Sequence, residues 1–238
     1  MIKTFNKYAG KLNNPSLPSI ADQTIEEYLG TFEKKMMVFE SYWNDNVFDN
    51  QSIKPFIKNI GSLVCDEIKV AHRYFDSEQG LSSYIEYPSG KIWVDPQTFG
   101  TSIVYFATHG VKAGLNVPLQ IIGKEDLIKA CKGFALFPNI LFFSGCGVFG
   151  GREGKQFGEE LVKTSGTRAV LGFTNEELRF DTGTIVDLLF LTRFFSFTED
   201  DPFKNLQKIY DSVIHDFKPA SLGGFTLFLN EDFSDISY

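Results

Sequence analysis

SIVYFATHG (Ser102–Gly110) and NILFFSGCG (Asn139–Gly147) repeat one design. Each is a short run of β-branched and aromatic residues that stops at a small, chemically capable tip: His109-Gly110 in one, Gly145-Cys146-Gly147 in the other. Neither run alternates apolar with polar positions, so each predicts a strand buried on both faces, the mark of a parallel sheet covered by helices. Lys124–Cys131 between them reads as a helix. Working outward, Met36–Trp43, Glu67–Phe75, Arg168–Phe173 and Phe225–Leu229 read as further strands, and Asn116–Ile122 as an extended arm of a small hairpin. Helices are expected over Asp22–Lys35, with Asp22 as cap, and over Ser52–Cys65, where Ile53, Phe56, Ile57, Ile60 and Val64 recur at helical spacing. Ser77–Tyr87, Phe157–Ser165, Thr182–Phe197 and Pro202–Phe217 complete the set. The alternation predicts an α/β protein with a mostly parallel sheet between helices. An arm and helix over residues 1–35 precede one domain over 36–238.

The 238 residues suffice for a core that needs no disulfide or metal staple. Phe occurs 25 times, and most copies are expected inside. A net charge of −7 argues against a nucleic-acid binder, which usually carries a basic stripe. Three cysteines, Cys65, Cys131 and Cys146, form no zinc-spaced set and suit a reducing compartment. With no apolar signal core near Met1 and no long apolar run, the expectation is a cytoplasmic protein that needs neither metal nor cofactor and does not meet a membrane.

In open α/β sheets, ligands bind beyond the carboxyl ends of the strands. If the two quoted strands are neighbours, His109 and Cys146 share that edge. A thiolate attacks carbonyls, but an unperturbed thiol is mostly protonated at neutral pH. An adjacent imidazole can take the proton and return it to the leaving amine. The amides of Gly110 and Cys146 are candidates for an oxyanion hole. A side chain at Gly110 or Gly147 would obstruct a substrate crossing the loops. Taken singly, a Cys at a strand end is most often a small buried hydrophobe, and His-Gly a turn. His72, His215, Cys65 and Cys131 read as structural, and Trp43 and Trp93 as core anchors.

VYFATHG (Val104–Gly110) resembles the His motif of caspase-like (clan CD) cysteine peptidases, in particular the CHAT branch related to separase. FFSGCGVFGG (Phe142–Gly151) resembles the Cys motif of that clan, and Glu159–Glu177 the helix and strand that follow it. The resemblance spans roughly residues 100–230. It implies a caspase-like three-layer sandwich with a six-stranded sheet, Cys146 as nucleophile, His109 as general base, and no third triad member. Gly145 stands where Ala is common in the clan, and the partner domains frequent in CHAT proteins are not expected within these 238 residues. Bacterial proteins of this kind often serve in antiviral defence under an activating partner, and the resemblance extends that expectation here.

Clan members select the residue before the cut. The loop FTNEELRFD (Phe173–Asp181) offers Asp181 first, then Glu176 and Glu177, as partners for a substrate Arg or Lys. Asp181 equally suits capping of the helix that follows. Arg152 and Arg179 are the corresponding candidates for an acidic substrate. The rivals are a silent interaction module on the same fold, another hydrolase, or a nucleotide-binding protein. GxSxG is absent, GVFGGREG (Gly147–Gly154) lacks the GK[ST] ending of a P-loop, and GCGVFG is a bare GxGxxG with no acidic ribose partner evident.

Overall fold

A computed structural model describes residues 34–42, 52–64, 68–85, 102–131, 140–197 and 202–231. Six strands form the main sheet: β1 (Lys35–Glu40), β2 (Lys69–Tyr74), β3 (Ile103–Ala107), then β7 (Ile140–Phe143), β8 (Ala169–Phe173) and β9 (Phe225–Leu229). Their spatial order is β2-β1-β3-β7-β8-β9, with only β9 antiparallel to its neighbour. Every residue of β3, β7 and β8 is buried, which is why their sequences show no alternation. Three short strands, β4 (His109–Val111), β5 (Gly114–Val117) and β6 (Gln120–Ile122), form a separate antiparallel sheet directly after β3.

Eight helices are seen among the described residues: α1 (Lys54–Lys58), α2 (Ile60–Val64), α3 (Glu78–Ile85), α4 (Lys124–Cys131), α5 (Gly151–Ser165), α6 (Phe180–Ser196), α7 (Leu206–Asp216) and α8 (Lys218–Leu222). Two apolar cores separate them into layers. On one face Val38, Tyr105, Phe142 and Leu171 meet Ile57, Ile60, Phe190, Phe194 and Val213 of α1, α2, α6 and α7. On the other, Phe39, Phe106, Phe143 and Val170 meet Leu81, Leu127, Phe157 and Leu161 of α3, α4 and α5. Alternate residues of each strand thus feed opposite cores. The phenylalanines stack through both, as in Phe106–Phe143 at 4.6 Å between ring centroids and Phe142–Phe190 edge to face.

Several boundaries differ from the sequence reading. The single helix expected over Ser52–Cys65 breaks at Asn59, whose side chain turns back to the Pro55 carbonyl (2.8 Å). α5 begins at Gly151 rather than Phe157, because Gly151 opens it at φ +64°, a conformation that glycine adopts without steric cost. α7 starts at Leu206, four residues late, and the short α8 was not foreseen. Residues 1–33 lie outside the described residues, and with them most of the helix expected over Asp22–Lys35. Lys35 itself opens β1. Trp43, Cys65 and Trp93 also lie outside.

Candidate active site

The carboxyl edge of the parallel sheet is where β3 and β7, hydrogen-bonded neighbours, deliver Thr108-His109-Gly110 and Ser144-Gly145-Cys146. Ser144 N donates to the Phe106 carbonyl (2.8 Å), carrying the pairing one residue past the strand. The two tips then touch backbone to backbone. A Cβ on Gly145 would lie 3.0 Å from the Gly110 nitrogen, the Gly110 Cα and the Thr108 carbonyl oxygen. A Cβ on Gly110 would be driven into the Cys146 carbonyl and to 2.7 Å from Val148 Cγ2. Glycine at both positions permits this approach. The obstruction foreseen at Gly110 therefore falls on the protein's own Cys loop.

His109 does not sit in a plain turn. It opens β4, pairs in register with Asn116 of β5, and is exposed. The hairpin is fixed on both sides: Thr108 Oγ1 donates to the Asn116 carbonyl (3.1 Å), and the Ala113 amide donates to the Val148 carbonyl (2.9 Å). Ala113 takes φ +53° in that turn, uncommon for a residue with a side chain. The hairpin is thereby clamped to the loop that carries Cys146.

Cys146 is half-buried, and its Sγ donates to the Leu178 carbonyl (2.9 Å). Burial pushes its thiol upward, and the negative charge of Asp187 adds to the rise. Cys131, by contrast, is fully buried in α4, and burial alone holds its thiol far up, as suits an inert packing residue.

The loop after β8 covers this region. Asn175 accepts from the Glu177 amide (2.8 Å) and donates to the Leu222 carbonyl (3.3 Å), while Thr174 N donates to the Gly224 carbonyl (2.9 Å). Glu176 packs over Gly147, where a Cβ would come within 2.6 Å of Glu176 Cγ, and it pairs with Lys112 at 3.0 Å. Asp181 lies in the first turn of α6, exposed. It accepts from the Thr182 amide (2.8 Å) and pairs with Arg179 (2.8 Å), and the amide bond leads in holding its carboxyl low. Asp181 and Glu176, two of the three carboxylates offered for a substrate cation, thus already hold a protein cation, in each case in a solvent-exposed pair of low intrinsic strength.

Four polar residues beneath the site, Asp187, Tyr105, Ser144 and Glu40, escaped the sequence reading. Asp187, on the inner face of α6, is fully buried. Its Oδ2 accepts from Tyr105 Oη (2.6 Å) and from Ser144 Oγ, while Oδ1 has no hydrogen-bond partner among the described residues. Burial pushes its carboxyl up to about 7, against the two hydroxyl donors, and burial with the Asp187 charge holds the Tyr105 phenol well up. The signal was available: one Asp in the apolar run TIVDLLFL (Thr184–Leu191) must face either solvent or a built partner. Nearer the sheet edge, Glu40 is also fully buried and accepts from Ile53 N (2.8 Å), Ser52 Oγ (2.9 Å) and His72 Nε2 (2.6 Å).

No group of His, Cys, Asp and Glu among the described residues is arranged to hold a metal ion, and no described helix is long and apolar enough to cross a membrane. No family model and no curated protein matches the chain.

Proposed function

We propose that the chain is a cysteine endopeptidase of the caspase-like, CHAT-related type, with Cys146 as nucleophile and His109 as base. The observation that carries this reading is the glycine-mediated contact between the two loops: the tips of two adjacent parallel strands, one bearing an exposed imidazole and the other a half-buried thiol, meet at Gly110 and Gly145. The six-stranded sheet with one antiparallel edge is compatible with the caspase-like sandwich. In the reaction, Cys146 gives its proton to His109 and attacks the scissile carbonyl carbon. The oxyanion forms beside the amides of Gly110 and Cys146, His109 protonates the leaving amine, and water then releases the acyl group. A thiol nucleophile of this kind suits a reducing, cytoplasmic setting. The substrate is a protein or peptide with a basic residue before the cut, recognised by Asp181 or Glu176 once their surface pairs yield. An activating protein partner and a role in bacterial defence complete the proposal.

One observation favours a second reading, a silent interaction module: in the free protein the thiol is tied to the Leu178 carbonyl. Labelling separates the two. An electrophilic peptide probe with Arg or Lys before the warhead should modify the wild type, fail on Cys146→Ala, and label His109→Ala far more slowly. Modification by a small thiol reagent alone would leave the nucleophile without this pocket. Inertness of Cys146 to both would favour the module.

A further inference from the structure

Asp187 has no part in the scheme above, yet it is the buried charged group best placed to influence it. It bonds Ser144, two residues before Cys146 on the same loop. A fully buried carboxyl that, among the described residues, has both donors on one oxygen and none on the other is poorly compensated as an anion. Such a group disfavours a second negative charge beside it, and the thiolate of Cys146 is that charge.

We propose that Asp187 is a positioning residue for Cys146: through Ser144 it holds the nucleophile's loop on the sheet, and when ionised it opposes formation of the thiolate. The proposal rests on the reading of Cys146 as nucleophile. It adds that the loop is built with a charge that restrains its own thiol. Neutralising that charge, by a proton or by a cation brought close, releases the restraint.

Few other charges among the described residues share this space. Tyr105 of β3 bonds the carboxylate, and Glu40 of β1 acts on the same phenol. α2 (IGSLV) has no ionisable residue, and Asp216 at the end of α7 is taken by Arg193. Burial agrees with the geometry, since it holds the Asp187 carboxyl near neutrality and the Asp187 charge adds to the rise of the Cys146 thiol.

The test is the titration of Cys146 in the full chain, followed by NMR of 13Cβ-labelled cysteine, with the signal assigned by its loss in Cys146→Ala. Asp187→Asn keeps an acceptor for Tyr105 and Ser144 but removes the charge. Its Cys146 midpoint should fall by about one pH unit or more, since a like charge within about 12 Å acts at least that strongly through an effective dielectric near 20. Below the midpoint, alkylation by iodoacetamide should quicken about threefold, because a tenfold gain in thiolate is offset by lower intrinsic nucleophilicity. Ser144→Ala keeps the charge and cuts the tie, so its midpoint should stay near wild type while alkylation becomes less selective for Cys146. A merely structural Asp187 would not lower the midpoint. An unchanged or raised midpoint in Asp187→Asn would overturn the proposal. None of these readouts requires peptide turnover, so failure of the peptidase reading, seen as no cleavage or probe labelling, is distinguished from failure of this one.

Discussion

The Sγ of Cys146 donates to the carbonyl oxygen of Leu178 across 2.9 Å, so the resting thiol is bonded in its protonated form to the loop that follows β8. A hydrogen bond to the neutral form of an acid disfavours the ionised form. On the proposed peptidase reading, attack by Cys146 requires the segment from Thr174 to Arg179 to give up that contact. Asn175 pins the segment by bonding both the Glu177 amide and the Leu222 carbonyl. Asn175→Ala should loosen it and raise the alkylation rate of Cys146 severalfold at neutral pH, with little change in melting temperature because both bonds are exposed. Mass-spectrometric alkylation kinetics give the answer. A rate equal to or below wild type would mean that the loop does not restrain the thiol.

The contact between the two strand tips makes a sharper demand. Gly110→Ala would place a methyl against the Cys146 carbonyl and 2.7 Å from Val148 Cγ2, and the neighbours are mostly backbone that cannot rotate away. Overpacking of this kind costs about 3 kcal/mol. We expect a clearly lowered denaturant midpoint and loss of probe labelling. Gly145→Ala is the milder partner, since its methyl would sit at 3.0 Å from three backbone atoms. It should retain most stability while slowing the labelling of Cys146. Equal tolerance of both substitutions would show that the loops are not packed as described.

Glu40 tests the other end of the sheet edge. Its carboxylate takes up the first free amide before α1, a serine hydroxyl and an imidazole, all at or beneath the surface. Glu40→Ala would strand Ile53 N and His72 Nε2 without the acceptor they share, and should destabilise by about 3 kcal/mol in urea unfolding. Glu40→Gln keeps acceptor and shape and should cost less than half of that. If the alanine variant unfolds no earlier than the glutamine variant, the cluster is not a structural anchor.

What the sequence disclosed follows physical lines. Ser102–Thr108 and Asn139–Ser144 were legible because a strand buried on both faces cannot hide its composition, and Ile103–Ala107 and Ile140–Phe143 form within them. α4 and β9 appear with the boundaries read from the sequence, Lys124–Cys131 and Phe225–Leu229, since each is bounded by glycine or a clear change of period. That His109 and Cys146 close neighbouring strands was also legible, because β3 and β7 are hydrogen-bonded neighbours. The rest depended on contacts distant along the chain. Asp187 meets Tyr105 across 82 residues and Ser144 across 43, and no local pattern encodes either bond. Arg179 beside Asp181 could have been seen, because two residues suffice for that pair. Lys112 on Glu176 could not, because it depends on how the hairpin folds back.

Asp187 also predicts a pH dependence of stability with a definite sign. Its carboxyl titrates near 3.8 when unfolded and is pushed up to about 7 by burial in the folded protein. Between those values the folded state holds a proton that the unfolded state has released. Its contribution is thus fully present below about pH 4, declines as pH rises toward 7, and stays lost above. A shift of about three pH units corresponds to about 4 kcal/mol at most. Surface carboxylates held low by partners, such as Asp181 and Asp216, act with the opposite sign and in both proteins alike. The difference between wild type and Asp187→Asn isolates the buried group. The variant should gain stability relative to wild type as pH rises from 4 to 8, by an amount on the order of 2–4 kcal/mol in urea unfolding. A constant difference across that range would mean that Asp187 is ionised throughout, and that its charge is compensated by a group not identified among its present partners.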